Sequence, residues 1–305
     1  MKITNKLNLP QPFVDAVQND YKPKPHQYSV TTILNPIRHV ILSRRYSDKI
    51  TQDVSDMIWS LFGTALHSVL ENSKETNTQF KEEYLKQELD IIDESLKGYF
   101  LSGRADLLDA ALKKMVDYKS TSVYKVKSKE YDDWYKQLLI YAWLFVKIGF
   151  EVDNAEIIAL LKDWSKTKAK FDSSYPQFPV QVIPFKFTDK DFKFIENYIK
   201  ERFTLLKKYE NVPDEELPMC TEEERWNKGK KYAIKKNKNK TAVRVIDSKE
   251  EAEKYMENLQ KNNNKDKFWI EEREGEDTRC LNYCSVCNFC PYFKEKYGKV
   301  QSDDK

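Results

Sequence analysis

Apolar residues recur along this chain with two spacings, and each change of spacing marks a change of element. In residues 54–71 the positions Met57, Leu61, Thr64/Ala65 and Val69 fall on one side of a helix. Between residues 82 and 119 the segments EYLKQELDII, GYFLSGRADLLD and KKMVDYK read as strands, with a turn near residues 109–114. Residues 131–148 return to helical spacing and close at Gly149, a suitable helix C-terminal residue. AEIIALLKDW and VQVIPFKF predict two more strands, and residues 189–209 a further helix. Beyond Asn211, YAIKKNKNKTAVRVI predicts two short strands about a polar turn, followed by a helix at 249–260 and the strand FWIEER. Residues 1–50 contain Pro10, Pro12, Pro23, Pro25 and Pro36, which predicts an irregular arm with short helices. The order of elements gives an α/β (α+β) class with a central mixed sheet flanked by helices. Three regions are expected: an arm at 1–50, a core at 51–210, and a C-terminal region at 211–305 packed on that core.

Composition adds limits. With 305 residues, 40% hydrophobic and 13% aromatic, the chain can bury a sizeable core. The longest apolar run, residues 138–146, is less than half a bilayer-spanning helix. The N-terminal MKITNKLNLPQPF lacks the apolar centre of a secretory signal, so a cytoplasmic protein with no membrane partner is expected. The 52 Lys and Arg nearly cancel the 49 Asp and Glu, so net charge says little about partners and its placement matters more. Residues 225–244 hold nine Lys or Arg and no Asp or Glu. That run reads either as a solvated hairpin or as a DNA contact through Arg225, Lys230, Lys231, Lys235, Lys236, Lys238 and Lys240, with salt-sensitive phosphate neutralisation. Trp226 and Tyr232 would then stack on exposed bases.

Five cysteines in a reducing compartment do not suggest a disulfide framework. Cys280, Cys284, Cys287 and Cys290 lie within eleven residues, and Cys220 lies sixty residues upstream. Closely spaced thiolates followed by Pro291 suit an iron–sulfur cluster or a structural zinc, with buried free thiols as the remaining alternative.

The residues with the clearest chemistry are Asp106, in GRADLLD, and Asp117 and Lys119, in VDYK. Side chains alternate along a strand, so Asp117 and Lys119 share a face, and the intervening turn lets Asp106 approach Asp117. Two carboxylates can hold a hard divalent cation, Mg2+ or Mn2+, that polarises a phosphate and acidifies a water positioned by the lysine. His67 and Glu71 share one helix face upstream, and Gln137 and Tyr141 repeat that spacing downstream. Tyr141 is equally suited to the core, and Asp109 reads as a turn residue.

Taken in order, Gly63…His67-x-x-x-Glu71, Gly103-x-x-Asp106, Asp117-Tyr118-Lys119 and Gln137-x-x-x-Tyr141 resemble the motifs of RecB-family nucleases, in the PD-(D/E)XK superfamily. SVTTILNPIRHVILSRRY, CTEEERW, KYAIKKNKNKTAVRVIDSKEEA and GEDTRCLNYC resemble the phage-type branch of RecB-like exonucleases, so the likeness spans residues 28–293. The resemblance implies a restriction-endonuclease-like core and metal binding by His67, Asp106, Asp117 and the Tyr118 carbonyl. It further implies a catalytic Lys119, accessory roles for Glu71, Gln137 and Tyr141, and exonuclease action on DNA ends. Some relatives carry a four-iron four-sulfur cluster with one cysteine before the core; residues 1–219 have none, so Cys220 would be the distant ligand. The competing functions are a non-catalytic nucleic-acid-binding protein and a structure-specific endonuclease on the same fold. A pure binding surface has no need of Asp106, Asp117 and Lys119 together, because carboxylates repel phosphate unless a cation lies between them.

Overall fold

The computed structural model describes residues 2–18, 23–74, 76–263 and 265–298. The chain divides into two compact units, one running to Leu217 and the other starting at Pro218.

In the first unit, β1 (Lys2–Thr4) and α1 (Gln11–Val17) precede β2 (Gln27–Ser29), α2 (Val30–Ile33), α3 (Ile37–Arg45) and β3 (Thr51–Asp53). Next come α4 (Val54–Glu71), β4 (Gln79–Glu88), β5 (Phe100–Asp109), β6 (Lys114–Thr121), α5 (Val123–Ser128) and α6 (Asp132–Lys147). The unit closes with β7 (Asn154–Leu161), α7 (Lys166–Phe171), β8 (Val180–Lys186) and α8 (Asp189–Tyr209). The main sheet has the order β2-β5-β6-β7-β8, with β4 also pairing β5. It is mixed: β2 and β7 run parallel to their neighbours β5 and β6, whereas the β4/β5, β5/β6 and β7/β8 pairs are antiparallel. Residues 27–29 of the proline-bearing arm thus add a strand to the central sheet. Three residues are too few to show alternation in sequence.

The nine-residue apolar run lies in α6, where Leu138, Leu139, Ile140, Ala142, Trp143, Leu144 and Phe145 are each at most 1% exposed. That helix is surrounded by β4, α2 and α8, which explains why its sequence is apolar on every side. Among the described residues no helix is long and apolar enough to cross a membrane.

Helix α4 begins where Asp53 accepts the Ser55 amide hydrogen. Its predicted extent is correct, but its predicted apolar face is not buried. Val54 alone is buried, Met57 and Leu61 are partly covered, and Val69 is 72% exposed. Sequence spacing detects a helix but cannot show whether another layer covers it.

The second unit contains α9 (Glu222–Arg225), β9 (Lys231–Lys236), β10 (Ala242–Ile246), α10 (Lys249–Asn262), β11 (Phe268–Arg273), α11 (Thr278–Asn282) and α12 (Pro291–Tyr297). Its sheet has the order β10-β9-β11, all antiparallel, with α10 against it. Asp277, fully buried, is the polar centre. It accepts hydrogen bonds from Arg225, Asn227, Tyr292, Lys296 and Tyr297. Burial pushes the Asp277 carboxyl up, but these donors outweigh it and hold it well below the usual carboxylate range.

Candidate active site

Strand β5 has one edge covered by β4 along its length, and the other shared by two partners. On that second edge β2 pairs Phe100 to Ser102 and β6 pairs Leu107 to Asp109, so residues 103–106 lie in a gap between the two ladders. Extending the Leu107↔Val116 register by one step would set Asp106 against Asp117, but the strands part there. The Asp106 side chain fills the opening, its Oδ2 accepting the Tyr118 amide hydrogen at 2.7 Å. Asp106 and Asp117 thus stand on the two arms of a fork.

Alternation on β6 places neighbouring side chains on opposite faces. Asp117 and Lys119 share one face, with Lys119 Nζ 3.1 Å from Asp117 Oδ1 and 2.9 Å from Oδ2. Gln137 Nε2, from α6, donates to Asp117 Oδ1 at 3.4 Å, while Oδ2 receives no well-aligned hydrogen bond. Tyr118 points to the other face, where its ring lies edge-on to His67, 6.1 Å between centroids. Asp117 is 3% exposed, and burial pushes its carboxyl up to about 6, with Asp106 adding to the rise and Lys119 opposing it.

On the α4 side, His67 Nδ1 lies 3.2 Å from Glu82 Oε1 and 3.3 Å from Asp106 Oδ1. The hydrogen bond to Asp106, opposed by burial and supported by Glu82, raises His67 to about 9. Burial, followed by the Asp106 charge, raises Glu82. Glu82 occupies an irregular point of β4: Lys81 pairs Leu107 and Glu83 pairs Ala105, but Glu82 has φ +50° and stands opposite Asp106 outside the ladder. Sequence reading misses this residue because adjacent Glu82 and Glu83 look alike. The left-handed turn of backbone that aims Glu82 at His67 has no glycine or asparagine to announce it.

Among the described residues one group brings three metal-ligating atoms within 4.8 Å of one another: His67, Glu82 and Asp106. Asp117 is outside it, its carboxylate engaged by Lys119. Glu71 faces outward, its carboxylate 4.0 Å from Arg104 Nη1. Tyr141 is 6% exposed and packs against Gly103 so closely that a Cβ there would meet its Cε1 at 2.7 Å and Val30 Cγ2 at 2.9 Å. Gly103 therefore serves close approach: it lets the α6 ring rest on β5 beside the fork.

A family model for the PD-(D/E)XK nuclease superfamily matches residues 44–292. The chain belongs to this superfamily. Two solved structures are similar to it. One, titled SSO0001, is 18% identical, with a TM-score of 0.45 and coverage of 68% of this chain and 87% of that one. The other, a phage related exonuclease from Haemophilus somnus 129PT, is 15% identical, with a TM-score of 0.28 and coverage of 65% and 76%. No curated protein matches the chain.

A PD-(D/E)XK enzyme is a nuclease that uses divalent metal, and the residues present suit one. One imidazole nitrogen and two carboxylates converge, and the carboxylates supply the hard oxygen donors that Mg2+ or Mn2+ takes.

The cysteines gather within the second unit. Burial, then the charges of Cys284, Asp277, Cys220 and Cys290, pushes the Cys280 thiol up to about 12. Burial, with Cys287 and Cys290, pushes Cys284 up to about 11. Cys220 thus joins the C-terminal thiols despite the sixty residues between them. None of the five forms a disulfide. A tetrahedral zinc needs sulfurs about 4 Å apart; among the described residues no three thiols converge so closely.

The basic run is paired in part. Cross-strand neighbours remote in sequence neutralise much of it: Lys230 pairs Glu272 and Glu274, Lys231 pairs Asp247, Lys235 pairs Glu271, and Lys236 pairs Asp266. Arg225 is buried on Asp277 and over the Tyr292 ring, serving the fold of the second unit. Lys238 and Lys240, at the turn, have no ion pair among the described residues, and Trp226 is half exposed beside Tyr283.

Proposed function

We propose that the chain is a DNA exonuclease that hydrolyses phosphodiester bonds with Mg2+ or Mn2+ at the β5–β6 fork. The observation that carries this reading is the juxtaposition of Asp106, Asp117 and Lys119, with the Asp106 carboxylate locked to the Tyr118 amide. Asp106, His67 and Glu82 would hold the cation, with Asp117 and Lys119 on the adjoining arm of the fork. A divalent cation held there would supply Lewis-acid polarisation of the phosphate and make water beside it more acidic. Lys119, partly exposed beside Asp117, orients that water for in-line attack and neutralises developing charge on the phosphate oxygens. Attack forms the new P–O bond, the P–O bond to the departing nucleotide breaks, the attacking water's proton leaves to solvent, and the departing oxygen takes a proton from solvent. Gln137 and Tyr141 keep Asp117 and β5 in place. Cys220 with three of Cys280, Cys284, Cys287 and Cys290 would ligate an iron–sulfur cluster or a structural zinc, with buried free thiols as the alternative; metal content and a broad absorption band near ~400 nm distinguish them.

The deciding experiment incubates linear and circular DNA, single- and double-stranded, with Mg2+, Mn2+ or EDTA, beside Lys119→Ala and Glu82→Gln. Metal-dependent loss of linear DNA alone, abolished by Lys119→Ala, is the expected result. Cutting of closed circles would replace the exonuclease assignment with an endonuclease, and full activity of Lys119→Ala would overturn the site.

A further inference from the structure

Helix α4 leaves aromatic rings in solvent beside the fork. Trp59 is 63% and Phe62 50% exposed, and their spacing of three sets them side by side. Trp59 lies about 12 Å along the helix axis from His67, eight residues at the helical rise. Lys162 Nζ sits 4.4 Å from the centroid of the Trp59 ring. The Lys162 amide donates to the Thr121 carbonyl at 2.9 Å, at the end of the strand that carries Lys119. Ring and ammonium therefore meet beside the Thr121 end of β6, two residues along the strand from Lys119.

Four residues beyond Lys162, α7 adds Lys166, Lys168 and Lys170, and ends at Phe171, which is 79% exposed. This lobe is ordered by a small core of Val123, Leu161 and Tyr175. Among the described residues none of Lys162, Lys166, Lys168 and Lys170 forms an ion pair, in contrast to the lysines of β9. These four lysines thus leave the lobe with positive charge that no ion pair engages.

The occupant that fits interleaved ring faces and ammoniums is a polyanion with accessible base faces. A duplex keeps its bases stacked inside and offers such a surface phosphates alone, leaving Trp59 and Phe62 uncovered; an unpaired strand offers both. We propose that Trp59, Phe62 and Lys162, extended by the lysines of α7, grip an unpaired DNA strand and feed it to the fork. This rests on the nuclease reading and names its substrate class: DNA that is single-stranded where it is cut.

Binding, measured without cleavage, tests it. In EDTA, fluorescence anisotropy compares a labelled oligothymidylate with a blunt hairpin duplex of equal phosphate number. Loss of one base–aromatic stack predicts that Trp59→Ala weakens oligothymidylate binding about tenfold, with the duplex changed less than twofold. Trp59→Phe should restore most of the affinity, and Lys162→Ala should lower the salt slope by about one. Equal affinities for wild type and Trp59→Ala, or equal losses on both ligands, would sink the proposal. So would a dimeric wild type that Trp59→Ala makes monomeric in sedimentation, which would mark the patch as a contact between copies. The two readings fail separately: a wild type that cuts DNA but ignores Trp59 removes only the grip, and one that binds through Trp59 but never cuts removes only the enzyme.

Discussion

Asp117 is held in a form that the fold disfavours, and removing its charge should stabilise the metal-free protein while abolishing activity. Its carboxyl is raised from 3.8 to about 6 because burial at 3% exposure outweighs the help from Lys119. A shift of about two units, at 1.36 kcal/mol each, makes the ionised form cost about 3 kcal/mol at neutral pH. The sign follows from the direction. A carboxyl with a raised folded pKa contributes its stability in full below the unfolded value and loses it as pH rises through about 6. Asp117→Asn keeps the shape and the Gln137 neighbour but removes the charge. In EDTA at pH 7.5 it should raise Tm by about 6–12 °C, taking 2–4 °C per kcal/mol for a unit of this size. By pH 4 the advantage should have vanished, because the wild-type carboxyl is then protonated too. Calorimetric scans at the two pH values, beside a DNA-degradation assay with Mg2+, measure all three effects. A variant no more stable than wild type at pH 7.5, or an advantage that persists unchanged at pH 4, would refute the account of Asp117 as a strained, buried charge.

Metal binding should release about one proton near pH 7.5, because His67, raised to about 9, must lose its proton to act as a ligand; titration calorimetry in two buffers of different ionisation enthalpy reads this. Without metal, the same raised pKa gives stability that is full below pH 6.5 and lost as pH rises through about 9, so Tm in EDTA should fall across that window in wild type but not in His67→Gln. Gly103→Ala should cost about 1–3 kcal/mol in urea unfolding, because its Cβ would meet Tyr141 and Val30 inside contact distance. An unchanged midpoint would mean that the ring moves freely. Asp277→Ala should destabilise the second unit by about 3–5 kcal/mol by stranding the buried Arg225, visible as early proteolysis after Pro218, with the first unit's melting unchanged.

Much of this arrangement was legible in the sequence because it rests on local rules. The alternation in VDYK puts Asp117 and Lys119 on one face whatever the tertiary context, and β6 does so. The helix 54–71, the strands through Asp109 and Thr121, and the buried helix over 138–146 follow from periods of 3.6 and 2 and from the length of the apolar run. What stayed hidden depends on partners remote in sequence. The carboxylates that neutralise Lys231, Lys235 and Lys236 lie at Asp247, Glu271 and Asp266, brought over by strand pairing. A charge run counted in a window of twenty residues therefore overstates the field.

Glu82 exposes a different limit, and it bears on how the site is built. The β4–β5 ladder is regular on both sides of Glu82 and Asp106 and opens only at that pair. The β5–β6 ladder likewise stops at Leu107↔Val116, one step before Asp106 would meet Asp117. Asp106 therefore sits where both ladders fail, which is how a residue in the middle of a sheet keeps a carboxylate free to face His67 on one side and Tyr118 on the other. A strand with uninterrupted pairing would have turned Asp106 wholly to one face, out of reach of either α4 or β6. The broken hydrogen bonding and the left-handed φ at Glu82 are thus what gather His67, Glu82 and Asp106 from a helix and two strands. Restoring regularity tests that: Glu82→Val, which favours an uninterrupted strand, should raise or preserve stability while losing metal-linked proton release, whereas a variant that keeps that release would show that Glu82 is dispensable to the site.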